Sequence, residues 1–492
     1  KRQGEDNEVF RENSRCSQGT GNFLRQLVER FDMDLPDADR LAGPSVEAAP
    51  LSGRCPVILK TDMTHLANKG ESRARILAGL YDAVCENVFV LVKPVSSPPR
   101  VRMLGGVGRS RRIRTTFGGL LSRRGLELVE PDADDELFYE ALGCAALAVE
   151  SGARPPDLAA VLCDPEESAV ERLPALSDYL AMVERRPSRP LAEVHGDPRP
   201  VVVGYDIGST GSKAVAFDVE SRGVVWQGYV NTNGDPVGAA HALTRNFLDG
   251  PAGRCPVVAV GTTGSGREIA GSLLASCFGP EAVFILNEIA AHAAGALHYD
   301  SDVDTIFEIG GQDAKYVRLE QGRVIDAAMN EACSAGTGSF IEEQGKKFAD
   351  VESVVQLGEQ ALSACSGASL GQHCSVFMAE VIDECVAAGI EQQTIVAGLY
   401  DSIIQNYLNR VKGKRSVGQV IFCQGMPFSS DALATAVVRQ TGAEVIVPPN
   451  PGTVGALGIS LLAIKERALD EHDPVDPQRF LAAEVTKKDV FV

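Results

Sequence analysis

Val201-Val-Val-Gly-Tyr-Asp-Ile-Gly-Ser-Thr-Gly-Ser-Lys213 opens as an apolar run of strand length and breaks into a turn of Gly, Ser and Thr. A second apolar run, Ala214 to Phe217, follows at once. Strand, small polar turn, strand is a hairpin whose backbone N–H groups and hydroxyls can hold phosphate oxygens. Asp206, at the end of the first run, is placed to hold a hydrated magnesium ion beside them. The stretch is no Walker loop, which needs Gly-x-x-x-x-Gly-Lys-Ser/Thr ahead of a helix. A hairpin of the same design recurs at Thr305-Ile-Phe-Glu-Ile-Gly-Gly-Gln-Asp313, followed by Ala314-Lys-Tyr-Val-Arg-Leu319. Gly425 lies further on, behind an apolar run from Gln419 to Cys423.

Two such hairpins about 100 residues apart, with a glycine element behind them, resemble the paired phosphate loops of the actin, Hsp70 and sugar-kinase superfamily. In that superfamily the third element contacts the adenosine, a part that Gly425 fits. The resemblance implies an α/β fold of duplicated ribonuclease H-like subdomains, at 200–305 and 306–468.

The chain also repeats itself. Cys16-Ser-Gln-Gly-Thr-Gly-Asn-Phe23 returns as Cys333-Ser-Ala-Gly-Thr-Gly-Ser-Phe340, and Ala78-Gly-Leu-Tyr-Asp82 as Ala397-Gly-Leu-Tyr-Asp401. Met103-Leu-Gly-Gly106 answers to Phe422-Cys-Gln-Gly425. Cys55 lies 23 residues before Ala78 and 51 before Gly106, and Cys374 lies 23 before Ala397 and 51 before Gly425. Residues 1–150 therefore repeat the second half of a module at 200–468 and lack its first half, so they form a half-module without phosphate loops. Residues 151–199, rich in Pro, Ala, Glu and Arg, read as a linker with a helix near Ser177 to Glu184. Residues 469–492 read as a tail or the start of a further region. The chain begins at Lys1 without a clean element start, as expected of a piece of a longer protein.

The words around the repeated cysteines are specific. Phe307-Glu-Ile-Gly-Gly-Gln-Asp313, Met329-Asn-Glu-Ala-Cys-Ser-Ala-Gly-Thr-Gly-Ser-Phe340 and His373-Cys-Ser-Val-Phe-Met-Ala-Glu380 resemble the activator ATPases of 2-hydroxyacyl-CoA dehydratases and the ATPase subunits of benzoyl-CoA reductase, the BadF/BadG/BcrA/BcrD type. That resemblance implies ATP-driven one-electron transfer to a dehydratase or reductase partner, with ferredoxin or flavodoxin as donor. It implies MgATP or MgADP at a first loop with Asp206, Gly208, Ser209, Thr210 and Lys213, and a second with Glu308, Gly310, Gly311, Gln312 and Asp313. Gln312 and Asp313, with Glu308, are candidates for orienting water or magnesium during hydrolysis, and Gly336, Thr337 and Gly338 for close approach to the nucleotide. Asn287-Glu-Ile-Ala-Ala-His292 looks like the family's acidic, His-containing segment and reads equally well as an ordinary helix start.

The resemblance further implies a single four-iron, four-sulfur cluster to which paired modules each give two cysteines. By motif these are Cys333 and Cys374, with Cys16 and Cys55 as repeat equivalents, so the chain acts as a pseudo-dimer or as part of a homodimer. Four thiolates suit such a cluster, whereas structural zinc sites usually show the short Cys-x-x-Cys knuckles missing here. The other eight of the twelve cysteines have no repeat partner and read as buried thiols filling apolar sites. A sugar or carboxylate kinase shares the phosphate loops, as does an actin- or chaperone-like ATPase, but neither has a use for repeated cysteines.

Composition sets the frame. Of 492 residues, 44% are hydrophobic and 23% charged, as in ordinary globular domains. A net charge of -19 argues against holding nucleic acid by bulk electrostatics. The one basic stretch, Arg100 to Arg124, reads as a solvated or internally paired face or, alternatively, as a dock for an acidic partner. With no apolar run of 18 residues and no signal-like start, a cytoplasmic protein without membrane contact is expected.

Overall fold

The computed structural model describes residues 21–29, 31, 33–51, 59, 62–63, 66–67, 71–93, 98–129, 134–152, 170–188, 191, 198–233, 235–330, 336–348, 350–351, 353–466 and 473–483. It divides into two compact units: Lys1–Ala169 with Val376–Glu380, and Val170–Ser375 with Val381–Val492.

The first unit is built on helices α1 (Gly21–Glu29), α2 (Leu35–Ala42), α3 (Arg73–Phe89), α4 (Arg111–Ser122) and α5 (Tyr139–Glu150). Two short parallel strands, β1 (Arg100–Arg102) and β2 (Glu127–Val129), lie among them. The apolar side of α3 (Ile76, Leu77, Leu80, Val84) is fully buried, together with Phe23, Ile113 and Leu121. Two of the eight arginines of the basic stretch, Arg112 and Arg114, are spent internally. Arg112 donates to both Asp82 carboxylate oxygens, at 3.0 and 2.6 Å, and to the carbonyls of Ala42, Gly43 and Val46. Arg114 donates to Glu136 at 2.6 Å.

Two sheets form the second unit. Strands β5 (Val201–Ile207), β6 (Gly211–Asp218), β7 (Gly223–Asn231), β8 (Val257–Thr263) and β9 (Val283–Ile285) stand in the order β7-β6-β5-β8-β9. Strands β10 (Thr305–Ile309), β11 (Ala314–Glu320), β12 (Arg323–Met329), β14 (Ile421–Gln424) and β15 (Val445–Val447) repeat that order as β12-β11-β10-β14-β15. In each, an antiparallel meander of three strands is extended by two parallel ones, which need crossovers. The first sheet's crossovers are α6 (Pro236–Asp249) and α7 (Arg267–Phe278). In the second sheet, α9 (Gly338–Gly345), α10 (Val354–Ser363), α11 (Ser375–Ala387) and α12 (Gln392–Tyr407) precede β14, and α13 (Asp431–Thr441) precedes β15. The central β5 and β10 are buried at every residue, as continuous apolar runs should be.

The helix that closes each half packs on the other. Ala293 and Ala296 of α8 (Glu288–Tyr299), which follows the first sheet in sequence, join the second sheet's core of Ile306, Val317 and Phe422. Leu457 of α14 (Val454–Glu466), which follows the second, joins Val215 and Phe217 of the first. The two helices cross through small residues: a Cβ on Gly458 would collide with the Ala291 carbonyl, and one on Gly295 with that of Val454.

The repeat is visible in the elements. From β1 to α5 the first unit runs strand, 3-10 turn, helix, strand, 3-10 turn, helix, the order from β14 to α14. A Cβ on Gly79 would lie 2.5 Å from the Ala49 carbonyl, and one on Gly398 would collide with the equivalent carbonyl, that of Ala368. One register is corrected. The left-handed glycine opening the 3-10 turn, Gly425 at φ 102°, matches Gly105 at φ 85°, not Gly106, because the first unit is one residue shorter between the shared helix and this turn. The environments of the last helices also differ: α14 is largely buried, whereas no residue of α5 is.

Parts of the expected linker belong to the second unit. Residues Leu176–Met182 form a 3-10 turn rather than the expected helix. Behind it β4 (Val183–Arg185) adds to the open edge of β15 in parallel, and Arg185 is tied to Asp431 at 2.7 Å. A two-residue strand, β3 (Arg172–Leu173), pairs with β13 (Gly367–Ala368). In the expected tail, α15 (Pro477–Leu481) buries Phe480 completely, edge-on to His241 at 4.5 Å between ring centroids. Buried thiols are found at Cys85, Cys255, Cys385 and Cys423, whereas Cys277 is half-buried. Cys144 and Cys365 overturn the expectation of burial and are exposed, Cys144 because the whole of α5 is. Cys163 lies outside the described residues.

Candidate functional site

The two hairpins carry the same chemistry in the same register. Asp206 faces Lys213 across β5 and β6, and Glu308 faces Lys315 across β10 and β11. Chain reversal beyond these pairs leaves Gly208 to Thr210 and Gly310 to Asp313 as loops. The second loop is closed by Gly310 N–H donating to the Asp313 carbonyl at 2.8 Å. Asn330 braces it by accepting from Ala314 N–H at 2.9 Å and donating to the Gln312 carbonyl at 3.1 Å.

The loops meet. A Cβ on Gly311 would stand 2.7 Å from the Thr210 side chain, whose buried hydroxyl has no protein partner. Asp206, Gly208, Ser209, Thr210, Lys213, Glu308, Gly310, Gly311, Gln312 and Asp313, all expected from the sequence, line one cleft. It is a cradle of glycines and the hydroxyls of Ser209, Thr210 and Ser265 with Lys213 at hand, which suits phosphate oxygens, while Asp206 offers magnesium a carboxylate.

A neighbouring cavity of about 190 Å³ shares Thr210, Lys213 and Gly311 and is walled by Tyr229, Gly338, Ile341, Val355, Met426 and Pro427. Gly425 lines neither cavity, although its neighbours Met426 and Pro427 line this one, and a Cβ on it would collide with the Ile309 carbonyl. Gly338 and Ser339 N–H groups donate to the carbonyls of Gly310 and Gly311, both at 2.8 Å, so α9 starts directly on the second loop. Gly336 and Thr337 line neither cavity. Thr337 is fully buried as the N-cap of α9, and a Cβ on Gly336 would collide with the Ile403 carbonyl, so their place is at the helix start.

Sequence reasoning missed Lys315. It is 3% exposed, and its ammonium lies 2.9 Å from Glu308 Oε2 and 3.4 Å from Glu288 Oε2. Burial pushes its pKa down, but Glu308 and Glu288 more than offset this, and the net shift is upward. Burial raises the Glu288 carboxyl, against the pull of Lys315 and His292. The acid-lysine spacing of seven residues, common to both hairpins, was the available signal. Both readings of Asn287 to His292 hold: Asn287 caps α8 by accepting from Ala290 N–H at 3.0 Å, and Glu288 and His292 line the cleft. Gln424, beside Glu308 on β14, was also missed; its side-chain amide is buried without protein partners.

Of the four cysteines expected as cluster ligands, Cys16, Cys55 and Cys333 lie outside the described residues. Cys374 is buried at the N-cap of the 13-residue α11. Among the described residues, no three or more His, Cys, Asp and Glu side chains are grouped to hold a metal ion. No described helix is long and apolar enough to cross a membrane.

Paired sheets of identical strand order, exchanged closing helices and two hairpin loops meeting in one cleft define an ATP-binding fold of the actin, Hsp70 and sugar-kinase type. The chain belongs to the BadF/BadG/BcrA/BcrD ATPase family, whose family model matches residues 1–137 and 203–463. It is similar to the 2-hydroxyisocaproyl-CoA dehydratase activator of Clostridioides difficile, 29% identical over 269 residues, which cover 54% of this chain and 95% of that protein. The activator of lactoyl-CoA dehydratase from Anaerotignum propionicum is 29% identical over 265 residues, 53% of this chain and 96% of that protein. Among solved structures, the activator of the 2-hydroxyisocaproyl-CoA dehydratase from Clostridium difficile with bound ADPNP is 27% identical, with a TM-score of 0.46, over 54% of this chain and 95% of that one.

Proposed function

We propose that the second unit binds MgATP across its paired hairpins, and that hydrolysis drives one-electron transfer to a partner enzyme of the 2-hydroxyacyl-CoA dehydratase or benzoyl-CoA reductase type. The observation that carries the nucleotide reading is the convergence of both hairpin loops on one cleft, with Thr210 against Gly311. In this reading the N–H groups of both loops and Lys213 hold the phosphates, and Asp206 takes magnesium through water. Gln312 and Asp313 orient the attacking water, with Glu308 beside them. The cavity lined by Met426 and Pro427, the neighbours of Gly425, takes the adenosine.

The redox reading rests on the repeated cysteines and on the activators to which the chain is similar. Cys333 and Cys374 would hold a four-iron, four-sulfur cluster together with Cys16 and Cys55, or with the same pair of a second copy. When bound, the cluster supplies a one-electron carrier whose potential responds to exposure and to hydrogen bonds at its sulfurs, and ferredoxin or flavodoxin would recharge it. Cys374 suits this use, because negative charge is favoured at a helix start. The bonds from α9 to Gly310 and Gly311 tie the start of this helix to the second phosphate loop, and in sequence Cys333 precedes the helix by five residues.

Two measurements on anaerobically purified protein test the two readings separately. Wild type should hydrolyse MgATP, and it should carry iron and sulfide with visible absorption that bleaches on reduction. Cys333→Ala and Cys16→Ala should each lower the iron content. Wild-type iron in both variants would sink the shared cluster and leave the ATPase intact.

A further inference from the structure

The duplicated hairpins put a lysine at the same register position, yet the two lysines have different surroundings. Lys213 is half-buried, lines both cavities, donates to the Gly211 carbonyl at 3.1 Å and lies over the Tyr229 ring. Lys315 is sealed in, and its ammonium is shared by Glu308 from β10 and Glu288 from the start of α8. The strand carrying it is pinned from behind, where Tyr407 donates its hydroxyl to the Lys315 carbonyl at 2.8 Å. A buried carboxylate without a countercharge is costly, and two beside each other more so.

We propose that Lys315 is a positioning residue, which binds Glu308 and Glu288 into one charge-compensated group and so presents Glu308 to the nucleotide in a fixed orientation. Lys213 is left as the lysine that meets phosphate. Duplication of the hairpin has thus yielded one lysine for the substrate and one for the site's own acids. The inference rests on the MgATP reading above. It adds to it that Glu288, which belongs to neither loop, takes part through Lys315.

Steady-state MgATP hydrolysis by the full chain is the test, with kcat and KM measured separately for Lys315→Met, Lys315→Gln and the double variant Lys315→Met/Glu288→Gln. Loss of an oriented acid-base group lowers turnover by about 10²-fold or more. Both single variants should therefore lose about 10²-fold in kcat, while KM stays within about threefold, because Lys213 and the loops are untouched. Removing the stranded second acid should return about tenfold of that loss in the double variant. Because removing a stranded acid also relieves a folding defect, kcat is expressed per folded molecule, counted by the MgATP-binding stoichiometry of each variant. Lys315→Gln is polar but carries no charge to compensate the two acids, and it serves alone should the Met variant fail to fold. The inference is overturned if kcat stays within threefold of wild type, if KM absorbs the loss, or if the double variant is no better than Lys315→Met. Wild type that neither binds nor hydrolyses MgATP would instead overturn the nucleotide reading, and this inference with it.

Discussion

A methyl group on Gly311 would stand 2.7 Å from Thr210, closer than side-chain atoms normally approach. Gly311→Ala should weaken MgATP binding by tenfold or more, about 1.4 kcal/mol, read by calorimetric titration, with the melting temperature little changed. The thiols give a second test at this scale. Burial, with help from Asp82, pushes the Cys85 thiol up to about 12, and burial alone raises Cys423 further. Peptide mapping after brief alkylation of the native protein at neutral pH should find Cys144 and Cys365 modified and Cys85 and Cys423 protected. Because the folded state holds the Cys85 proton more tightly than a free thiol of 9.0, the stability it confers is complete below pH 9. It is lost as the pH rises through that value toward 12. A flat stability profile across that alkaline range would contradict the burial of this thiol.

At the level of elements, Gly79 in α3 and Gly398 in α12 perform one task in two places, each letting the chain at an equivalent carbonyl lie against the helix. Alanine at either should overpack the contact at a cost of about 1–3 kcal/mol, visible as a lowered midpoint in chemical denaturation. Phe480→Ala should cost about 3–5 kcal/mol, because the ring is fully enclosed by the first sheet's helices. Hairpins, repeat and cleft-lining residues were legible in the sequence because turn chemistry and spacing are local. The lysine-carboxylate group was not, since Glu288, Glu308 and Lys315 come from a helix and two strands brought together only by tertiary packing. Nor was β4, three residues with an ordinary charged sequence, whose strand character comes from the open edge of β15. The one-residue slip at Gly105 escaped notice because Gly105 and Gly106 are adjacent and only their φ angles tell them apart.

For the whole molecule, the decisive asymmetry is that one unit has two meanders and the other, among its described residues, only a pair of short parallel strands. Nucleotide binding should therefore saturate at one MgATP per chain in equilibrium dialysis, and a stoichiometry of two would show that the first unit has a site of its own. The crossing of α8 and α14 bears on how the second unit moves. Gly295, Gly455 and Gly458 let the two helices come close: a Cβ on Gly458 would meet the Ala291 carbonyl, one on Gly295 the carbonyl and Cγ1 of Val454, and one on Gly455 the His292 ring. The crossing is a close-set pivot: bulk added at Gly295 or Gly458 would wedge the helices apart and with them change the angle between the two sheets.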